Sequence, residues 1–130
     1  MKTNIEKGDL IYAWSASFGP FLWFGDKAIY HYHIWKVKFF ITDFPDKKYL
    51  YNYLLEATDR IKSLGNGIAM IHMTKDRMEK MLVPLPPLSE QHRIDAKIDQ
   101  LMVLCDKLES YIDAATNKQT ELLNAVMGAI

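Results

Sequence analysis

From Ile94 to Ala129 the apolar residues advance in alternating steps of four and three: Ile94, Ile98, Leu101, Cys105, Leu108, Ile112, Ala115, Gln119, Leu122, Val126 and Ala129. Only an α-helix holds such a set on one face. The 3.5-residue mean step, kept over about five heptads, is the pattern that supercoiled helices use where they meet. No proline or glycine interrupts it before Gly128. One helix over residues 89–130 is therefore expected, about 60 Å long at 1.5 Å per residue. Gln119 is the one strongly polar member of the stripe, a residue type that fixes register at a cost in stability. A rod of that length cannot cover its stripe on a lobe of about 85 residues alone. The sustained repeat favours a coiled-coil partner, a second copy or another helix, over a core helix of one globular domain. The expected interface is Ile94, Ile98, Leu101, Cys105, Leu108, Ile112, Ala115, Leu122 and Val126.

What precedes the rod differs in kind. Pro84, Pro86 and Pro87 stand together and no proline follows them. Residues 1–83 carry 12 basic and 9 acidic side chains, whereas residues 84–130 carry 4 basic and 7 acidic. A mildly basic, aromatic-rich lobe (1–83) is expected to meet an acidic helix (89–130) through a proline hinge (84–88). Ser89 is a good N-cap, and Glu90 suits the positive end of the helix dipole. The capping-box partner position holds His92 rather than Glu or Gln.

Within the lobe, residues 9–16 and 21–24 read as strands joined by the Ser17-Phe18-Gly19-Pro20 turn, short enough for a hairpin. A third extended run spans His31 to Ile41, placing His31, His33, Trp35 and Val37 on one face and Tyr32, Ile34, Lys36 and Lys38 on the other. Residues 46–63 switch to helical spacing, with Asp46 as N-cap and Gly65 as stop. Ile68 to His72 is expected to be extended, Thr74 to cap a helical turn through Met78, and Met81 to Leu85 to form a last strand. These elements follow no regular βαβ order, so the fold class is α+β: a small mixed lobe followed by one long coiled-coil helix.

Sixteen basic residues balance sixteen acidic ones, which excludes a polybasic nucleic-acid binder of the kind read from charge alone. The single Cys105 excludes a disulfide framework or multi-cysteine zinc module and suits a reducing cytoplasm. No apolar run approaches a membrane span, and the opening residues Met1 to Glu6 lack the apolar stretch of a signal peptide. His31 and His33 have no Cys, Asp or Glu cluster to complete a metal set. Cys105 on the helical stripe reads as a small hydrophobe, Asp46 is explained as a cap, and Gly65-Asn66-Gly67 does not open a helix as a phosphate loop would. No catalytic constellation and no cofactor site emerges. The lobe's lysines, interleaved with aromatic residues, fit either phosphate contact or an ordinary solvated surface.

At the hinge, Val83-Pro84-Leu85-Pro86-Pro87-Leu88-Ser89-Glu90-Gln91-His92-Arg93-Ile94, followed by Lys97-Ile98-Asp99-Gln100-Leu101-Met102 and Leu104-Cys105-Asp106-Lys107-Leu108-Glu109, closely resembles a conserved region of the DNA-specificity subunits of type I restriction–modification systems. The lobe resembles that family more loosely: Gly8-Asp9-Leu10-Ile11 with Ser15, Ser17 and Gly19, then Ala28 to Val37 with His33-Ile34 matching, and Gly67-Ile68-Ala69 with Thr74 to Met78. A recognition domain of the family is longer than the 88 residues that precede Ser89 here. The chain is therefore expected to correspond to the second part of one such domain plus its helix, as a half-length subunit or a fragment.

The resemblance implies a non-catalytic subunit. Each of two target-recognition domains reads half of a split site in double-stranded DNA. Their following helices pack antiparallel as a spacer, and methylation and restriction subunits assemble around them. For this chain it implies a homodimer through the C-terminal helix and readout positions at Ser15, Ser17, His33, Lys36, Lys38, Asn66 and Gly67. An assembly module that docks through its helix and binds no DNA is the other reading. Salt-dependent duplex binding separates the two.

Overall fold

The computed structural model describes residues 4–15, 17–64 and 74–130. The chain divides into two compact units, Met1–His92 and Arg93–Ile130. In the first, β2 (Leu10–Ala13) is the central strand of an antiparallel sheet ordered β3-β2-β5, with β3 at Gly19–Leu22 and β5 at Ile34–Lys36. A two-stranded ribbon pairs β1 (Asn4–Ile5) with β4 (Ala28–Ile29). The helices are α1 (Lys47–Leu64), α2 (Lys75–Glu79) and α3 (Leu88–Gly128).

The predicted hairpin is present with its second strand shifted: Gly19 and Pro20, expected in the turn, belong to β3, and Trp23 and Phe24 lie beyond it. Leu10 pairs with Leu22 and Ala13 with Gly19 across β2 and β3. Gly19 takes φ +142°, a region that costs a glycine nothing and that side chains avoid. All four residues of β2, the central strand, are buried. Leu10 and Tyr12 meet Leu54 of α1 at the centre of the core, and Trp35, Phe18, Leu22 and Ile61 close around them. The Tyr12 hydroxyl lies 2.8 Å from Thr58 Oγ1, and Thr58 gives its own proton to the Leu54 carbonyl at 2.7 Å. Tyr12 is therefore the donor of that pair, so neither buried hydroxyl is left unsatisfied.

Asp46 caps α1 as its residue type predicts, its Oδ1 accepting from the Lys48 and Tyr49 amides at 3.0 Å each. Thr74 caps α2 by accepting from the Arg77 amide. The Gly65 stop and the extended stretch Ile68 to His72 lie outside the described residues.

Three local expectations are corrected. Of the run His31 to Ile41 only Ile34–Lys36 is a strand. Residues 31–34 instead close a turn in which the Ile34 amide donates to the His31 carbonyl at 3.0 Å. Met81 to Leu85 forms no strand: with Pro84, Pro86 and Pro87 removing amide donors, its carbonyls are taken by side chains. Finally, α3 begins at Leu88, with the Pro87 carbonyl accepting from the Glu90 and Gln91 amides at 2.8 and 3.1 Å. Ser89 therefore sits inside the first turn and is not the N-cap.

The 41-residue α3 carries the heptad stripe, half-buried at Ile94 and Ile98. Leu101, Leu108, Ile112, Leu122 and Val126 are each about half or more exposed. Cys105 is a free, exposed thiol. Among the described residues, no helix is long and apolar enough to cross a membrane.

Candidate nucleic-acid interface

The three-stranded sheet has two ends, and the predicted readout residues divide between them. At one end Ala13 pairs with both Gly19 and Ile34. The chain leaves β2 there through Trp14, half-buried Ser15 and exposed Ser17. The turn carrying His33 arrives at the same place: the Trp14 amide donates to the His33 carbonyl at 3.1 Å, and the Trp14 indole donates to the Tyr32 carbonyl at 3.2 Å. The Trp14 and His33 rings meet edge-on at 4.8 Å. Ser15, Ser17 and His33 thus belong to the same end of the sheet.

Lys36 and Lys38 belong to the other end, about 10 Å away along the strand. Lys36 is engaged there. Its ammonium lies 2.6 Å from Asp9 Oδ2 and reaches the Asn4 carbonyl at 3.4 Å. Burial pushes the Asp9 carboxyl up, but the Lys36 hydrogen bond, the Glu6 amide and the charges of Lys36 and Lys47 outweigh it and hold the group below its usual range. Lys38 is exposed. Asn66 and Gly67 lie outside the described residues.

Aromatic side chains missed as site candidates stand out at the Ser15 end. Tyr32 is 70% exposed at the turn's tip, with His31 and His33 rings at 4.1 and 4.0 Å from it. Lys62, near the end of α1, holds its ammonium 5.7 Å from the Phe18 ring, which belongs to the β2–β3 turn. The cue was present in the His-Tyr-His run, but a strand reading spread those rings over two faces.

The proline segment is the other unforeseen feature. Tyr53 donates to the Leu82 carbonyl at 2.7 Å, and Tyr49, one turn earlier in α1, donates to the Pro84 carbonyl at 2.8 Å. Fully buried Gln91 accepts from the Asp46 amide and donates to the Pro86 carbonyl, both at 2.8 Å. His92 adds a 3.4 Å contact to Asp46 Oδ2. The Pro-Leu-Pro-Pro-Leu-Ser-Glu-Gln string is therefore a strap tied to α1 through its carbonyls. A cleft of about 550 Å³ lies beside it, floored by Phe39, Ile41, Pro45 and Leu88 and rimmed by Asp43, Lys47 and His92. Among the described residues, no group of three or more His, Cys, Asp or Glu side chains is placed to hold a metal ion.

A family model described as "Type I restriction modification DNA specificity domain" matches residues 1–117, taking in the lobe, the strap and most of α3. The chain belongs to this DNA specificity domain family. Among its relatives is the type I restriction enzyme EcoBI specificity subunit of Escherichia coli, 24% identical over 121 residues, which covers 93% of this chain and 25% of that protein. The EcoAI specificity subunit of the same species is 39% identical over 65 residues, half of this chain and 11% of its own length. The chain thus spans a quarter or less of these DNA-specificity relatives. No solved structure matches it significantly. As a specificity domain, it presents two surfaces of interest: the turn-rich end of its sheet and the bare stripe of α3.

Proposed function

We propose that this chain is a sequence-specific, non-catalytic DNA-recognition module of a type I restriction–modification system, working in the cytoplasm with methylation and restriction subunits. The observation that carries this reading is the family match running continuously from the lobe through the strap into α3. In this reading the lobe (1–83) contacts one half of a split duplex site, using Ser15, Ser17, His33, Lys36, Lys38, Asn66 and Gly67. Loops suit the task because their side chains are free to enter a groove. The helix (89–130) pairs antiparallel with the helix of a second copy. What supports that pairing is apolar surface from Leu101 to Val126 that a single chain leaves in water.

The deciding experiment is duplex binding by the full chain, alone and with a methylation subunit, across a salt series. Recognition of phosphates gives an affinity that falls steeply and linearly on a log–log salt plot. Duplex binding that is absent at low salt in both preparations would leave only the assembly-module reading.

A further inference from the structure

We propose that the turn His31-Tyr32-His33 is the base-contacting element of the lobe, with Tyr32 as a specificity-determining side chain and Lys62 as the adjacent phosphate anchor. This rests on the DNA-recognition reading above and names which end of the sheet faces the bases. Three observations carry it. The first is exposure joined to rigidity. Tyr32 is 70% exposed, yet its backbone is pinned by the Trp14 indole on its own carbonyl, by the Trp14 amide on the His33 carbonyl and by the Ile34 amide closing the turn. A large aromatic ring presented to water on a pinned turn is a surface held ready for a partner.

The second is chemistry. The three rings lie 4.0–4.8 Å apart, forming an apolar, hydrogen-bonding tip of the size that reaches base edges and thymine methyl groups in a major groove. Beside it, Ser15 and Ser17 contribute hydroxyls and Lys62 a cation that is spread over the Phe18 ring. The third is charge at the opposite end, where Lys36 is neutralised by Asp9 at 2.6 Å and Lys27 by Glu6 at 3.0 Å. Those two ammonium groups are already engaged by carboxylates, whereas the Lys62 ammonium at the Tyr32 end faces the Phe18 ring, which leaves its charge for a phosphate.

The test selects preferred sequences for the full chain from a randomised duplex pool, then compares affinity for the selected and the random duplex across a salt series. Tyr32→Ala should leave thermal unfolding unchanged, since the ring is exposed. It should lower the selected-to-random affinity ratio by about tenfold with the salt slope preserved. Lys62→Ala should weaken both duplexes alike and reduce the slope by about one. A Tyr32→Ala variant that keeps the ratio within about twofold of wild type, or a Lys62→Ala variant with an unchanged slope, would overturn the assignment while leaving the DNA-recognition reading intact. A wild-type chain that enriches no sequence would overturn both.

Discussion

Replacing Gln91 by alanine strips two backbone groups of their partners at once, the Asp46 amide and the Pro86 carbonyl. Both bonds are part-buried, and an orphaned buried group costs about 1–3 kcal/mol, so Gln91→Ala is expected to destabilise the lobe by about 2 kcal/mol. Gln91→Glu keeps the acceptor for Asp46 but sets a carboxylate oxygen against the Pro86 carbonyl, and should fare no better. Urea unfolding monitored by tryptophan fluorescence reads both. The Asp9–Lys36 pair makes a second prediction at this scale. Asp9's folded pKa lies below the ordinary 3.8, so the pair's contribution is complete above that value and is lost as pH falls through the lower folded value. Both side chains are only about a quarter exposed, and a contribution of about 1 kcal/mol is expected at neutral pH. Asp9→Asn should therefore be the less stable protein in neutral urea titrations, and the gap should close in strong acid.

At the scale of elements, the stripe of α3 predicts self-association. Leu101→Asp and Leu108→Asp together place charges at two equivalent core positions one heptad apart, and should yield a monomer by sedimentation while wild type sediments as a dimer. A wild type that stays monomeric at high concentration would sink this prediction. Elements with one strong local signal are legible in the sequence. The 3.5-residue repeat marks α3 and Asp46 marks the start of α1; the hairpin is legible too, although Gly19 and Pro20, read as its turn, pair within β3. Elements made by non-local pairing were not. The strands β1 and β4 have two residues each and exist only because Asn4 and Ile5 find Ile29 and Ala28. The strap was misread because Met81 to Leu85 has strand-like composition, while its carbonyls are claimed by phenols 29 and 35 residues away in sequence. The helical spacing of residues 46–63 says nothing of where the Tyr49 and Tyr53 hydroxyls point. The candidate site is half legible for the same reason: Ser15, Ser17 and His33 are singled out by the sequence, but the turn that sets His33 and Tyr32 beside Trp14 depends on hydrogen bonds from Trp14.

For the whole molecule, the lobe and the helix make a joint prediction. If α3 pairs two copies, a duplex with two correctly spaced half-sites is bound bivalently, with a gain of about 10²–10⁴ over one half-site. The double aspartate variant should lose that gain while keeping the half-site affinity of wild type, which titrations on one-site and two-site duplexes measure directly. The strap also fixes where such a chain can be cut and rejoined. Tyr49, Tyr53 and Gln91 and the carbonyls they serve all precede Arg93, within the first compact unit. A lobe grafted onto a foreign helix at the His92–Arg93 junction carries every one of these matches with it. A graft joined at the prolines parts the phenols from the carbonyls they were fitted to. Shuffling of lobes among relatives, in the laboratory or by recombination, is then tolerated at the first junction and penalised at the second, a few residues upstream.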